Sequence, residues 1–127
     1  MAESQRTRIR SYRELKIWQR SMDLTVQTYE LTRRFPSEEK YGLSSQMRRA
    51  AASVPANIAE GQARRSKKEF LQMLSIARGS LAELETFVTL SERLGLIRRE
   101  TSNSLLEDCA EIDRMMNGLM RSLANRG

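Results

Sequence analysis

Residues 43–61 read Leu43-Ser44-Ser45-Gln46-Met47-Arg48-Arg49-Ala50-Ala51-Ala52-Ser53-Val54-Pro55-Ala56-Asn57-Ile58-Ala59-Glu60-Gly61. Leu43, Met47, Ala50, Val54 and Ile58 recur every three or four residues and make one apolar row of a helix. Beside it runs a polar row, Gln46, Arg49, Ser53, Asn57 and Glu60, at the same spacing. An amphipathic helix needs only one apolar face, so a second ordered row points to a second partner. Ser44 or Ser45 is expected to cap the helix, and Gly61 to mark its fraying end near Gln62. Pro55 falls inside. Dividing the helix there would make Val54 the cap, and valine has no side-chain acceptor for that task. One helix kinked at Pro55 is therefore expected, at a cost of about 3 kcal/mol that tertiary packing offsets.

Working outward, residues 14–34 place Leu15, Trp18, Met22, Val26 and Tyr29 at helical spacing, with Ile17, Leu24 and Leu31 widening the stripe. This predicts a first helix about 30 Å long, ended by Phe35-Pro36. On the other side, Ser66-Lys67-Lys68-Glu69 is a capping box that opens a third helix through Phe70, Leu74, Ala77, Leu81, Leu84 and Val88 to Leu94-Gly95. A fourth helix over residues 100–124 repeats the pattern with Leu105, Cys109, Ile112, Met116, Leu119 and Leu123. Four amphipathic helices with short connections and no strand signal predict an all-α, antiparallel up-down four-helix bundle over residues 13–127. Residues 1–12, with Arg6, Arg8 and Arg10, are expected to form a flexible basic arm.

The 127 residues suffice for one domain with its own core. A single cysteine cannot make an internal disulfide, and no amino-terminal apolar run resembles a signal or membrane span, so a reducing cytoplasm is the expected location. The sequence has no histidine, which removes His-based triads, most zinc hydrolases and di-iron bundles; no enzymatic activity, metal or cofactor is expected. Cys109 falls on the apolar stripe of its helix and reads as a packing residue. Trp18 reads as a core anchor whose ring nitrogen reaches a polar group.

Lysine and arginine number 22 against 16 acidic residues, a net charge of +6. Arg64, Arg65, Lys67 and Lys68 crowd the turn before the third helix, where helix-end amides add partial positive charge. Together with Arg48 they are the candidates for gripping nucleic-acid phosphates; the alternative is a solvated loop. No base-reading motif accompanies them, so binding is expected to be weakly sequence-specific. The polar row on the second helix reads either as a wet face or as a packing or oligomer seam, joined by Pro55 as a shape element. Gly79-Ser80 in the third helix suggests close contact with a neighbouring helix, and Glu83 is the expected partner of Arg49.

The motifs Leu15-x-x-Trp18-Gln19, Phe35-Pro36, Glu39-x-Tyr41-Gly42-Leu43-x-Ser45-Gln46, Arg49-Ala50, Ser53 to Gly61, Gly79-Ser80-x-x-Glu83 and Leu94-Gly95 resemble the bacterial 23S rRNA intervening-sequence proteins, whose genes lie within ribosomal RNA insertions. The resemblance covers about residues 12–97 and implies an up-down bundle assembled into a ring of five, without known enzymatic activity. The fold is also similar to accessory proteins of diversity-generating retroelements, basic pentamers that associate with nucleic acid and a reverse transcriptase. Two functions follow as expectations: a homo-oligomer, pentameric by the resemblance, that binds RNA or DNA backbone, or a helical adaptor docking a protein partner such as a reverse transcriptase.

Overall fold

The computed structural model describes residues 11–126, which form four α-helices and two short 3-10 turns. The helices are α1 (Lys16–Thr32), α2 (Leu43–Ala63), α3 (Lys67–Arg93) and α4 (Arg99–Asn125). No strand occurs among the described residues, and no helix there is long and apolar enough to cross a membrane. The helices pack α1 on α2, α2 on α3, α3 on α4 and α4 back on α1, closing a cycle around one core. Arg6, Arg8 and Arg10 lie outside the described residues.

In α3 and α4 the apolar rows are the core rows. Leu74, Ala77, Leu81, Leu84 and Val88 face Leu105, Cys109, Ile112, Met116 and Leu123, all buried. The capping box forms as its chemistry requires: Ser66 Oγ accepts from the Glu69 amide at 3.3 Å. At the other end Gly95 takes the left-handed conformation, φ 78°, and lets Leu96 N–H return to the Ser91 carbonyl.

Helix α1 departs from its sequence reading. Its buried residues are Ile17, Ser21, Leu24, Thr28 and Thr32, while Met22, Val26 and Tyr29 are exposed. The hydroxyls can enter the core because each bonds its own helix: Ser21 to the Trp18 carbonyl at 3.0 Å, Thr28 to Leu24 and Thr32 to Thr28 at 2.8 Å. Trp18 is half-buried, set edge-on to Tyr12 at 5.2 Å with the Arg13 guanidinium against both rings, and its ring nitrogen has no hydrogen bond among the described residues.

Helix α2 is continuous through Pro55. Proline lacks an N–H, so the carbonyl of Ala51 has no partner one turn later, and Ala51 is too buried for water to replace it. Thr25 Oγ1 of α1 stands 3.1 Å from that oxygen and 2.8 Å from the Ser21 carbonyl of its own helix, and its one proton is shared between the two. The proline thus belongs to the α1–α2 contact, since it is buried there and away from the polar row. Two further expectations are corrected. The helix starts at Leu43 with no serine cap; Glu39 Oε1 accepts from the Leu43 amide instead, at 3.4 Å, and Ser44 is buried. Gly61 is a point of close approach within the helix: a Cβ there would lie 2.8 Å from Met73 Cβ and 2.9 Å from Phe70 Cδ1 of α3.

Candidate nucleic-acid interface

Helices α2 and α3 are joined by three residues, and their conformation decides what the cations do. Arg64 ends α2, Arg65 reverses the chain with φ 60°, and Ser66 is extended to cap α3. The left-handed conformation disfavours a side chain by about 1–2 kcal/mol, and two anchors hold this residue in it. One is the Ser66 cap. The other is Arg64, which donates to Glu60 Oε2 at 2.6 Å and to Glu69 Oε1 at 2.9 Å, bridging the last turn of α2 and the first of α3. These two carboxylates hold the Arg64 pKa above its usual value through hydrogen bonding first and charge second.

The four cations therefore separate by role. Arg64 is neutralised by two anions and acts as a staple. Lys67 Nζ donates to the carbonyl of Arg126 at 2.6 Å, tying the start of α3 to the end of α4. Arg65 and Lys68 are exposed and make no ion pair among the described residues. Arg48 stands apart, sixteen residues earlier and about 24 Å along α2. Its Nε donates to Thr32 Oγ1 at 2.7 Å, and its guanidinium lies 4.8 Å from the centre of the Tyr29 ring. The sequence reading missed Arg126, which the Lys67 contact brings to the group, and it placed Glu60 in the polar row and Glu69 in the capping box without assigning either to Arg64. The spacing of Glu60 and Arg64, one helical turn, was the available signal.

The polar row lies on the outer rim between α2 and α3. Ser53 and Ser80 share a hydrogen bond between their hydroxyls, and Asn57 Nδ2 donates to the Ser53 carbonyl at 2.7 Å. Both Ser53 and Asn57 are half-buried, whereas Gln46, Arg49 and Glu60 are exposed. The expected Arg49–Glu83 pair is not formed; Arg49 donates to Gln46 Oε1 instead, and Glu83 is exposed without an ion-pair partner among the described residues. Gly79 does not mark a close contact either, because a Cβ built on it meets nothing within 4 Å. Within one chain the row is a surface feature.

The one cysteine of the sequence lies in the core, away from these residues. Cys109 is fully buried, and desolvation, with smaller contributions from Glu85 and Asp108, pushes its thiol up to about 12. It is protonated and inaccessible at neutral pH.

Residues 13–118 match the sequence family described as 23S rRNA-intervening sequence protein. Among solved structures, the chain is similar to a protein of unknown function from the S23 ribosomal protein family of Bacteroides thetaiotaomicron VPI-5482. The TM-score is 0.76 at 28% identity, and the alignment covers 82% of this chain and 97% of that one. No curated protein matches.

Proposed function

The chain belongs to the 23S rRNA-intervening sequence protein family, and from that premise we propose a non-enzymatic, homo-oligomeric bundle that binds nucleic-acid phosphates at the α2–α3 turn with weak sequence preference. The helices alternate up and down in this reading. Contacts support it: Thr25 with Ala51 and Tyr29 with Arg48 advance in opposite senses along α1 and α2, as do Ser53 with Ser80 and Met47 with Ser91 along α2 and α3. Lys67 on Arg126 supports the same for α3 and α4. The missing amide of Pro55 is the point at which α2 is read as kinked, with Thr25 close to the freed carbonyl.

This arrangement gathers Arg13, Lys16 and Arg126 at the end that bears Arg65 and Lys68, and Arg6, Arg8 and Arg10 immediately precede it in sequence. The observation that carries the function is that Arg65 and Lys68 make no ion pair among the described residues while Arg64 absorbs both neighbouring carboxylates. Free cations release counterions from a phosphate backbone when they bind, and paired ones have already lost that capacity. The sealed thiol of Cys109 supports a role without covalent chemistry.

The test is binding of a 20-nucleotide single-stranded RNA or DNA at several salt concentrations. Affinity should fall steeply with salt, and R65Q/K68Q should flatten the logarithmic slope by about 0.7 per cation removed from the contact. Undetectable binding at low salt would sink the proposal.

A further inference from the structure

The 3-10 turn Tyr12–Glu14 packs against both α1 and α2 and sets two rings beside one cation. Tyr12 and Trp18 are both half-buried, and their ring planes stand 64° to one another, so the pair forms an angle and not a flat stack. Arg13 fills that angle: its guanidinium carbon lies 5.6 Å from the centre of the tyrosine ring and 5.8 Å from that of Trp18. Those distances are at the outer edge of a cation–π contact, about 6 Å. The Arg13 side chain is exposed and makes no ion pair among the described residues. Its backbone is fixed separately, the amide donating to Ser11 Oγ at 3.2 Å and the carbonyl accepting from Gln19 Nε2 at 2.8 Å. The guanidinium can therefore leave the rings while the turn stays in place. Trp18 was expected to anchor the core through its ring nitrogen, but that nitrogen has no hydrogen bond among the described residues.

This cluster stands near the cations of the α2–α3 turn. Thr25 lies against Ala51, so in an up-down bundle the step back along α1 to Trp18 matches an equal step on along α2 to Ile58. Arg65 follows about 10 Å further on, the length of about three stacked nucleotides. We propose that Trp18 and Tyr12 are the base-stacking subsite of the nucleic-acid interface: an unpaired base takes the place of the Arg13 guanidinium against the two rings, and Arg13 turns to a phosphate of the same strand. This rests on the nucleic-acid reading above and gives it a ligand class, single strands in preference to duplex. The exchange is favourable because a base stacks on an aromatic ring more strongly than an exposed cation sits over one. The displaced guanidinium gains a phosphate, for which its planar fork is suited. In a duplex each base is already stacked and paired, so only a splayed base can enter. A ring face accepts any base, which agrees with the absence of a base-reading motif. The surrounding cations favour a polyanion over a peptide as the occupant.

Trp18 is the one tryptophan of the sequence, so its fluorescence reports on this ring alone. The full chain is titrated at low salt with three labelled DNAs, a single strand, the corresponding duplex and an abasic strand of the same length, and anisotropy of the label follows binding independently. The single strand should quench Trp18 at saturation by about half or more, whereas the duplex and the abasic strand should bind and leave the emission unchanged. Y12A should weaken the single strand about tenfold and leave the abasic strand unaffected, and Y12F should restore the affinity. R65Q/K68Q should weaken both strands alike while leaving the quenching at saturation intact. Circular dichroism checks folding; where Y12A loses its helicity, the comparison of base-bearing with abasic strand on the wild type decides. Binding of the single strand without quenching, or equal quenching by the abasic strand, overturns the stacking subsite and leaves the phosphate reading standing. Equal quenching by the duplex overturns the single-strand assignment. Absence of binding by every strand overturns both readings.

Discussion

Helices α1 and α3 are built from similar proportions of apolar and polar residues, yet they use them in opposite ways. In α3 the periodic apolar row is the core, and a row of leucine, alanine and valine is sealed against α4. In α1 the core receives serine and threonines bonded to their own backbone, while methionine, valine and tyrosine point outward. The contrast teaches that apolar periodicity locates a partner-facing side without saying whether the partner lies in the same chain.

The contrast can be broken most forcefully by truncation on each side of it. Leu81→Ala in α3 should lower the unfolding free energy by about 2–5 kcal/mol, as a fully buried leucine does. Val26→Ala in α1 should leave a dilute chain within about 0.5 kcal/mol of wild type. Urea unfolding separates the two effects.

The glycines provide a second, smaller contrast. Gly61→Ala drives a methyl into Met73 and Phe70 and should cost about 1–3 kcal/mol in the same assay. Gly79→Ala meets nothing within its own chain and should stabilise the isolated bundle by up to about 1 kcal/mol through helix propensity alone.

Thr25 sharpens the account of α1 further. Thr25→Val leaves the buried Ala51 carbonyl unpaired and should cost about 1–2 kcal/mol. In a Pro55→Ala background the new amide at residue 55 can serve that carbonyl, so the same substitution should cost measurably less. Additive costs in this double-mutant cycle would refute the pairing.

The smallest effect concerns pH. A thiol whose pKa rises on folding contributes stability below its unfolded value, about 8.5, and loses it as pH climbs toward the folded value. For Cys109 that window runs from there to about 12, so the wild type should lose stability across it faster than Cys109→Ala.

These residues also explain what the sequence could disclose. The rows of α3 and α4, the Ser66 cap and the break at Leu94-Gly95 depend on neighbours within one or two turns, and local spacing reveals such features. The phase of α1 does not: a threonine that satisfies its hydroxyl on its own backbone packs like valine, and nothing in the spacing distinguishes it from an exposed one. The partner of the Pro55 gap comes from thirty residues away. At the candidate interface the cluster of cations was legible, but its division into staple, tether and free charges required the positions of Glu60, Glu69 and the α4 terminus.

The central claim is that the cations of the α2–α3 turn without an ion pair, and not the paired Arg64, hold the phosphates. Its most direct test is the salt dependence of binding to one long single-stranded oligonucleotide, wild type against R65Q/K68Q. The account predicts a markedly steeper logarithmic slope for the wild type, because those two side chains release counterions that the variant cannot. Equal slopes for the two proteins would contradict it.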